Sequence, residues 1–128
     1  MDKRLFEASL GFSWESTDIA LPREEKAGVA LFIFQKNMAG IVWNSLGVFE
    51  NNPSTLPQTE TILQGQSVGG ISIDQLSQVK RFGEAATHLI AAIKSREFCL
   101  DIECAKRLHA IVGKEDALEW GVLRSQQV

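Results

Sequence analysis

Ser72-Ile73-Asp74-Gln75-Leu76-Ser77-Gln78-Val79-Lys80-Arg81-Phe82-Gly83-Glu84-Ala85-Ala86-Thr87-His88-Leu89-Ile90-Ala91-Ala92-Ile93-Lys94 carries the clearest period in the chain. Leu76, Val79, Phe82, Ala86, Leu89 or Ile90, and Ile93 recur at spacings of three and four, which places them on one face of an α-helix. Ser72 followed three residues later by Gln75 is a capping box, because each side chain can satisfy the other's free backbone N–H. The pattern predicts an amphipathic helix over 73–94 that packs on a core.

The neighbouring segments extend the same reading. Downstream, Lys94-Ser95-Arg96-Glu97 breaks the helix, and Asp101 caps another over 102–113 with Ile102, Ala105, Leu108 and Val112 facing inward. Glu115 to Arg124 forms a last turn or short helix. Upstream, Gly65-Gln66-Ser67-Val68-Gly69-Gly70 is a loop whose glycines allow positive φ. Thr55 caps a short helix over 56–64, with Pro57 in its first turn. Glu50-Asn51-Asn52-Pro53-Ser54 is turn chemistry, since Asn tolerates left-handed backbone and the residue before Pro avoids the helical region.

Before that turn, Glu24 and Glu25 suit a helix N-terminus, and apolar residues recur at Val29, Phe32, Ile33, Trp43 and Leu46, which predicts a helix over 24–49. Val29–Phe34, six apolar residues, also reads as a buried strand. Residues 1–22 form an N-terminal arm that packs by isolated apolar residues at Leu5, Phe6, Leu10, Phe12 and Trp14 and closes at Pro22. The whole predicts an all-α fold, a small bundle of four to five helices over 23–128 behind the arm.

Composition bounds the function. With 128 residues, 45% hydrophobic and 23% charged, the chain is expected to be one domain or part of one and can build a core. A net charge of −3 has the wrong sign for a phosphate-backbone binder, so nucleic acid is not expected as a partner. The apolar run Val29–Phe34 is far below membrane-spanning length, no signal-peptide pattern opens the chain, and a cytoplasmic protein with no membrane partner is expected. Cys99 and Cys104 read as reduced thiols. Three Trp and seven Phe exceed what so short a chain hides readily, which predicts a homo-oligomer or a complex with a partner.

Candidate chemistry is sparse. Cys99, Cys104, His88 and His109 lack the paired spacing of a zinc site, and nothing marks an orienting group for a Cys-His nucleophile, so no metal site is expected. The Gly65–Gly70 loop lacks the Gly-Lys-Ser/Thr ending of a phosphate cradle. His109 lies among Leu108, Ile111 and Val112 and reads as a core-edge residue. Glu50-Asn51 places a carboxylate at a helix end just before a turn, where it is presented outward.

Four runs carry a family likeness: Val42-Trp43-Asn44-Ser45 leading to Glu50-Asn51; Thr59-Glu60-Thr61-Ile62-Leu63-Gln64-Gly65 with Val68-Gly69-Gly70; Leu108-His109-Ala110-Ile111-Val112; and Glu115-Asp116-Ala117-Leu118-Glu119-Trp120-Gly121-Val122-Leu123-Arg124. From about Leu31 to Arg124 the chain resembles the N-terminal half of Fic proteins, the AMP-transferring family named for cell filamentation. The resemblance implies an all-α fold and, for a complete member, ATP and Mg²⁺. It implies a catalytic His-Pro-Phe stretch followed by a Gly-Asn-Gly-Arg or Gly-Asn-Lys-Arg loop, neither of which occurs in these 128 residues.

No catalytic residue and no cofactor are therefore assigned to this chain, which alone is expected to transfer no AMP. Many family members also carry an inhibitory helix ending in Ser or Thr, three intervening residues, Glu, and then Gly or Asn. Glu50-Asn51 resembles that ending, with Ser45 five positions before Glu50 instead of four. The resemblance implies an antitoxin-like regulatory part acting on a complementary Fic catalytic half through Glu50, Asn51 and Ser45, or a half-enzyme without independent function; the alternative is a helical protein-interaction module with no role in nucleotide chemistry.

Overall fold

A computed structural model describes residues 3–13, 15 and 26–125. The described residues are all-helical and contain no strand. Five helices follow in order: α1 (Lys3–Leu10), α2 (Ala27–Phe49), α3 (Leu56–Leu63), α4 (Ile73–Lys94) and α5 (Ile102–Val112). Val29–Phe34 is helical within α2, so the strand alternative is excluded. Glu24, Glu25, Trp14 and Pro22 lie outside the described residues.

Local chemistry starts the helices where the sequence placed them. Thr55 accepts from the Gln58 N–H while Gln58 returns a bond to the Thr55 N–H, and Ser72 and Gln75 do the same for α4. Asp101 accepts the Cys104 N–H at 2.7 Å and caps α5. Gly65 and Gly70 take positive φ in the connection between α3 and α4. Gln58 Nε2 ties that connection down by donating to the Gly69 carbonyl.

The helix α4 is the hub, packing against α2, α3 and α5. Val79 meets Val42 and Leu46 of α2 and Ile62 of α3 in a buried cluster, with Met38, Leu63, Val68, Ile71, Leu76 and Phe82 around it. Every residue of the expected α4 face is at least half-buried. Gly83 lets α3 approach closely, because a Cβ there would overlap Leu63 Cδ2. The small core has a visible cost: α2 buries only Val42 and Leu46, while Phe32 remains 63% exposed.

Lys3–Leu10 of the expected arm form the helix α1, and the packing of Phe6 and Trp14 lies outside the described side chains. Two expectations are corrected. The inward face of α5 is in part the expected one: Leu108 and Val112 are half-buried, but Ile102 and Ala105 are exposed, and Cys104, buried, and Ile111, half-buried, take their places. The thiol behaves as a small apolar side chain and sets the register. Of the last turn or short helix expected from Glu115 to Arg124, the turn forms, over residues 113–116, and the short helix does not, since Glu115 and Gly121 both have positive φ.

Candidate functional site

Glu50 is the C-cap of α2 and is exposed. Its N–H donates to the Leu46 carbonyl at 3.0 Å, and the Asn52 N–H donates to the same carbonyl at 3.1 Å. Between them Asn51 has φ of 51°, which reverses the chain, as its residue type allows. Among the described residues Glu50 makes no ion pair, and Val48 and Phe49 beside it are exposed. The carboxylate therefore stands at the edge of an apolar surface.

Ser45 does not join Glu50. The helix is continuous from Ala27 to Phe49, including Gly47, and a five-residue offset on a regular helix separates two positions by about 140°. Ser45 is half-buried, whereas Glu50 and Asn51 are exposed. The structure brings Glu50 and Asn51 together and leaves Ser45 on another side.

Behind Glu50 lies a buried polar node that the sequence reading missed. Asn52 Oδ1 accepts the Ser54 N–H at 3.0 Å across Pro53, which is an Asx-turn. Asn52 Nδ2 donates to the Gln75 carbonyl and to Gln78 Oε1, both at 2.9 Å, so the turn is pinned to α4. The Ser54 carbonyl accepts from Trp43 Nε1 at 3.0 Å, and the Ser54 and Thr59 hydroxyls lie 3.2 Å apart. Asn52, Ser54 and Thr59 are buried and each is hydrogen-bonded, which rigidifies the turn instead of weakening it. Asn-Pro-Ser was the available signal, because Asn two residues before an N–H donor favours this turn.

A second constellation joins α4 to the segment after α5. Arg81 is 8% exposed; its guanidinium binds Asp116 through Nη2 and lies 3.7 Å from Glu115 through Nη1. Its Nε is buried with no acceptor among the described residues. Farther along, the Gly121 N–H donates to His109 Nδ1 at 3.0 Å. His109 is exposed, not buried at a core edge. Residues 117–119 and 122–125 and the outer face of α5 enclose a groove of about 860 Å³.

The thiols are separate in character. Cys104 is buried and Cys99 exposed. Asp101 pushes the Cys99 thiol upward, first by accepting its hydrogen bond and then by its charge. The Asp101 carboxyl is held below the ordinary range chiefly by the Cys104 N–H. No three His, Cys, Asp or Glu side chains gather as a metal site among the described residues, and no described helix is long and apolar enough to cross a membrane. No protein-family model, curated protein or solved structure matches the chain.

Proposed function

We propose that this chain is a regulatory, non-catalytic part of a Fic-type AMP-transfer system, in which Glu50 engages an arginine of a catalytic loop supplied by other residues or another chain. The observation that carries the reading is the exposed, unpaired Glu50 carboxylate at the end of α2, held on a turn that Asn52 clamps to α4. A carboxylate and a guanidinium form a strong charge-assisted pair. A fixed backbone beneath the carboxylate lowers the ordering cost of making it. In this reading ATP and Mg²⁺ belong to the catalytic half, and no step is assigned to the residues of this chain.

The test titrates the chain into a Fic-type enzyme bearing a Gly-Asn-Gly-Arg loop and follows label transfer from ATP to a hydroxyl-bearing target. Wild type is expected to slow transfer, Glu50→Gly to lose that effect, and Glu84→Ala on α4 to keep it. Equal transfer with wild type and Glu50→Gly rejects the role of Glu50.

A second reading, a helical protein-interaction module with no part in nucleotide chemistry, is favoured by a different observation. Val29, Phe32 and Ile33 are each at least half exposed on a helix whose one charged residue is Lys36. A helix apolar on every side ordinarily lies inside a larger assembly. Association that survives Glu50→Gly but not a charge at Phe32 supports this module.

A further inference from the structure

We propose that His109 is a proton-sensitive latch that holds residues 113–124 as a strap beside α5, and that protonating its ring releases the strap and widens the groove between them. This inference does not depend on the regulatory reading of Glu50. It rests on how the strap is fastened. At its near end Asp116 and Glu115 face the buried Arg81 of α4. At its far end the fastening to α5 is the Gly121 N–H on His109 Nδ1 at 3.0 Å.

The far contact demands both partners. Gly121 has φ of 73°, and a Cβ there would lie 2.8 Å from the Ala110 Cβ, so only a residue without a side chain can sit this close to α5. His109 must present a bare Nδ1 to accept the amide, which requires the neutral ring protonated on Nε2. Protonation turns Nδ1 into a donor facing another donor. The hydrogen bond is then lost and the amide is repelled.

The surroundings give the imidazolium somewhere to go. His109 is in the last turn of α5, where the helix carbonyls favour a positive charge. The charged groups on the same groove are Lys106 of α5, whose ammonium is bound to Glu103 at 2.8 Å, and Glu119 and Arg124 of the strap. On the α4 side the strap's carboxylates are already turned to Arg81. With the far fastening lost, Gly121 is free to leave Ala110 while Asp116 stays on Arg81, and the open groove between strap and helix widens.

The experiment is a pH titration of the ¹⁵N-labelled full chain by NMR, following the Gly121 amide, the relaxation of residues 117–124 and the rings of His109 and His88. The Gly121 amide is expected to move, and the strap to gain mobility, with the midpoint of the His109 ring; loss of one neutral hydrogen bond lowers the closed-to-open ratio about fivefold. His109→Gln keeps an acceptor that does not titrate and is expected to hold the strap closed throughout. Gly121→Ala supplies the spectrum of the open strap at neutral pH. A Gly121 amide that stays still while the His109 ring titrates overturns the latch, as does the same pH response in His109→Gln.

Discussion

The side-chain amide of Asn52 donates to the backbone carbonyl of Gln75, 2.9 Å away and 23 residues later in the chain. That bond joins the turn after α2 to the first turns of α4, and the Asn52 carbonyl oxygen simultaneously holds the Ser54 N–H. Asn52→Ala removes the bonds to Gln75, Gln78 and Ser54, leaves the buried Ser54 N–H without its acceptor, and is expected to cost about 2–3 kcal/mol. Asn52→Asp keeps the acceptor for Ser54 but sets a carboxylate oxygen against the Gln75 carbonyl, so it is expected to cost at least as much. Urea unfolding followed by helical circular dichroism checks both; a loss below about 0.5 kcal/mol for Asn52→Ala refutes the clamp.

The Arg81–Asp116 pair makes an asymmetric prediction. Asp116→Ala leaves a buried guanidinium with Glu115 alone nearby, and is expected to destabilise by about 2–3 kcal/mol. Arg81→Met together with Asp116→Ala removes the charge that lacked its partner and is expected to recover most of that loss. Equal stability of the two variants in urea would show that the pair is only a surface contact.

Asp101 sets an acid limit on α5. Its carboxyl is held below the usual range mainly by the Cys104 N–H, so its stabilising contribution is fully present above the ordinary carboxylate value near 4 and is lost as pH falls through the depressed one. Asp101→Asn keeps a cap without a titrating charge. Wild type is expected to lose more helical signal on acidification than Asp101→Asn, read by circular dichroism. The same substitution removes the charge that pushes the Cys99 thiol up, and is expected to speed Cys99 alkylation at neutral pH.

Association should depend on the first half of α2. Phe32→Asp and Ile33→Asp place charge on an exposed apolar face and leave Val42 and Leu46 untouched. Both are expected to fold as wild type does and to reduce self-association in sedimentation velocity. A wild-type chain that sediments as a monomer at high concentration removes the basis for a homo-oligomer through this face.

Much of the fold was legible because its signals are local. Thr55 with Gln58, Ser72 with Gln75, and Asp101 each lie within one turn of what they cap, and the period of α4 is long enough to be unambiguous. Cys104 is buried as a free cysteine of its type commonly is, whereas Cys99 is exposed, and the spacing of Ile102, Ala105, Leu108 and Val112 does not show that Cys104 belongs to the inward face. The helix α1 is only eight residues long, too short for a period to separate it from an irregular arm. At the candidate site, Glu50 and Asn51 were visible as a helix end followed by a turn. Asn52 and Arg81 were not, since their partners Gln75, Gln78 and Asp116 lie 23 to 35 residues away and only the packed helices bring them together.

The shallow seating of α2 has a mechanical consequence. Residues 27–37, about 16 Å of helix, precede the side chains that enter the buried cluster, and among them only Leu31 and Phe34 are half-buried. The rod contains no proline and is unbroken to Phe49. A sideways load applied at Phe32 is therefore carried to a fulcrum at Val42 and Leu46 and emerges at Glu50, one turn farther on. The tilt of Glu50 is thus geared to whatever grips the far end of the helix, and the stiffness of that gearing is set by the Asn52 bonds to α4.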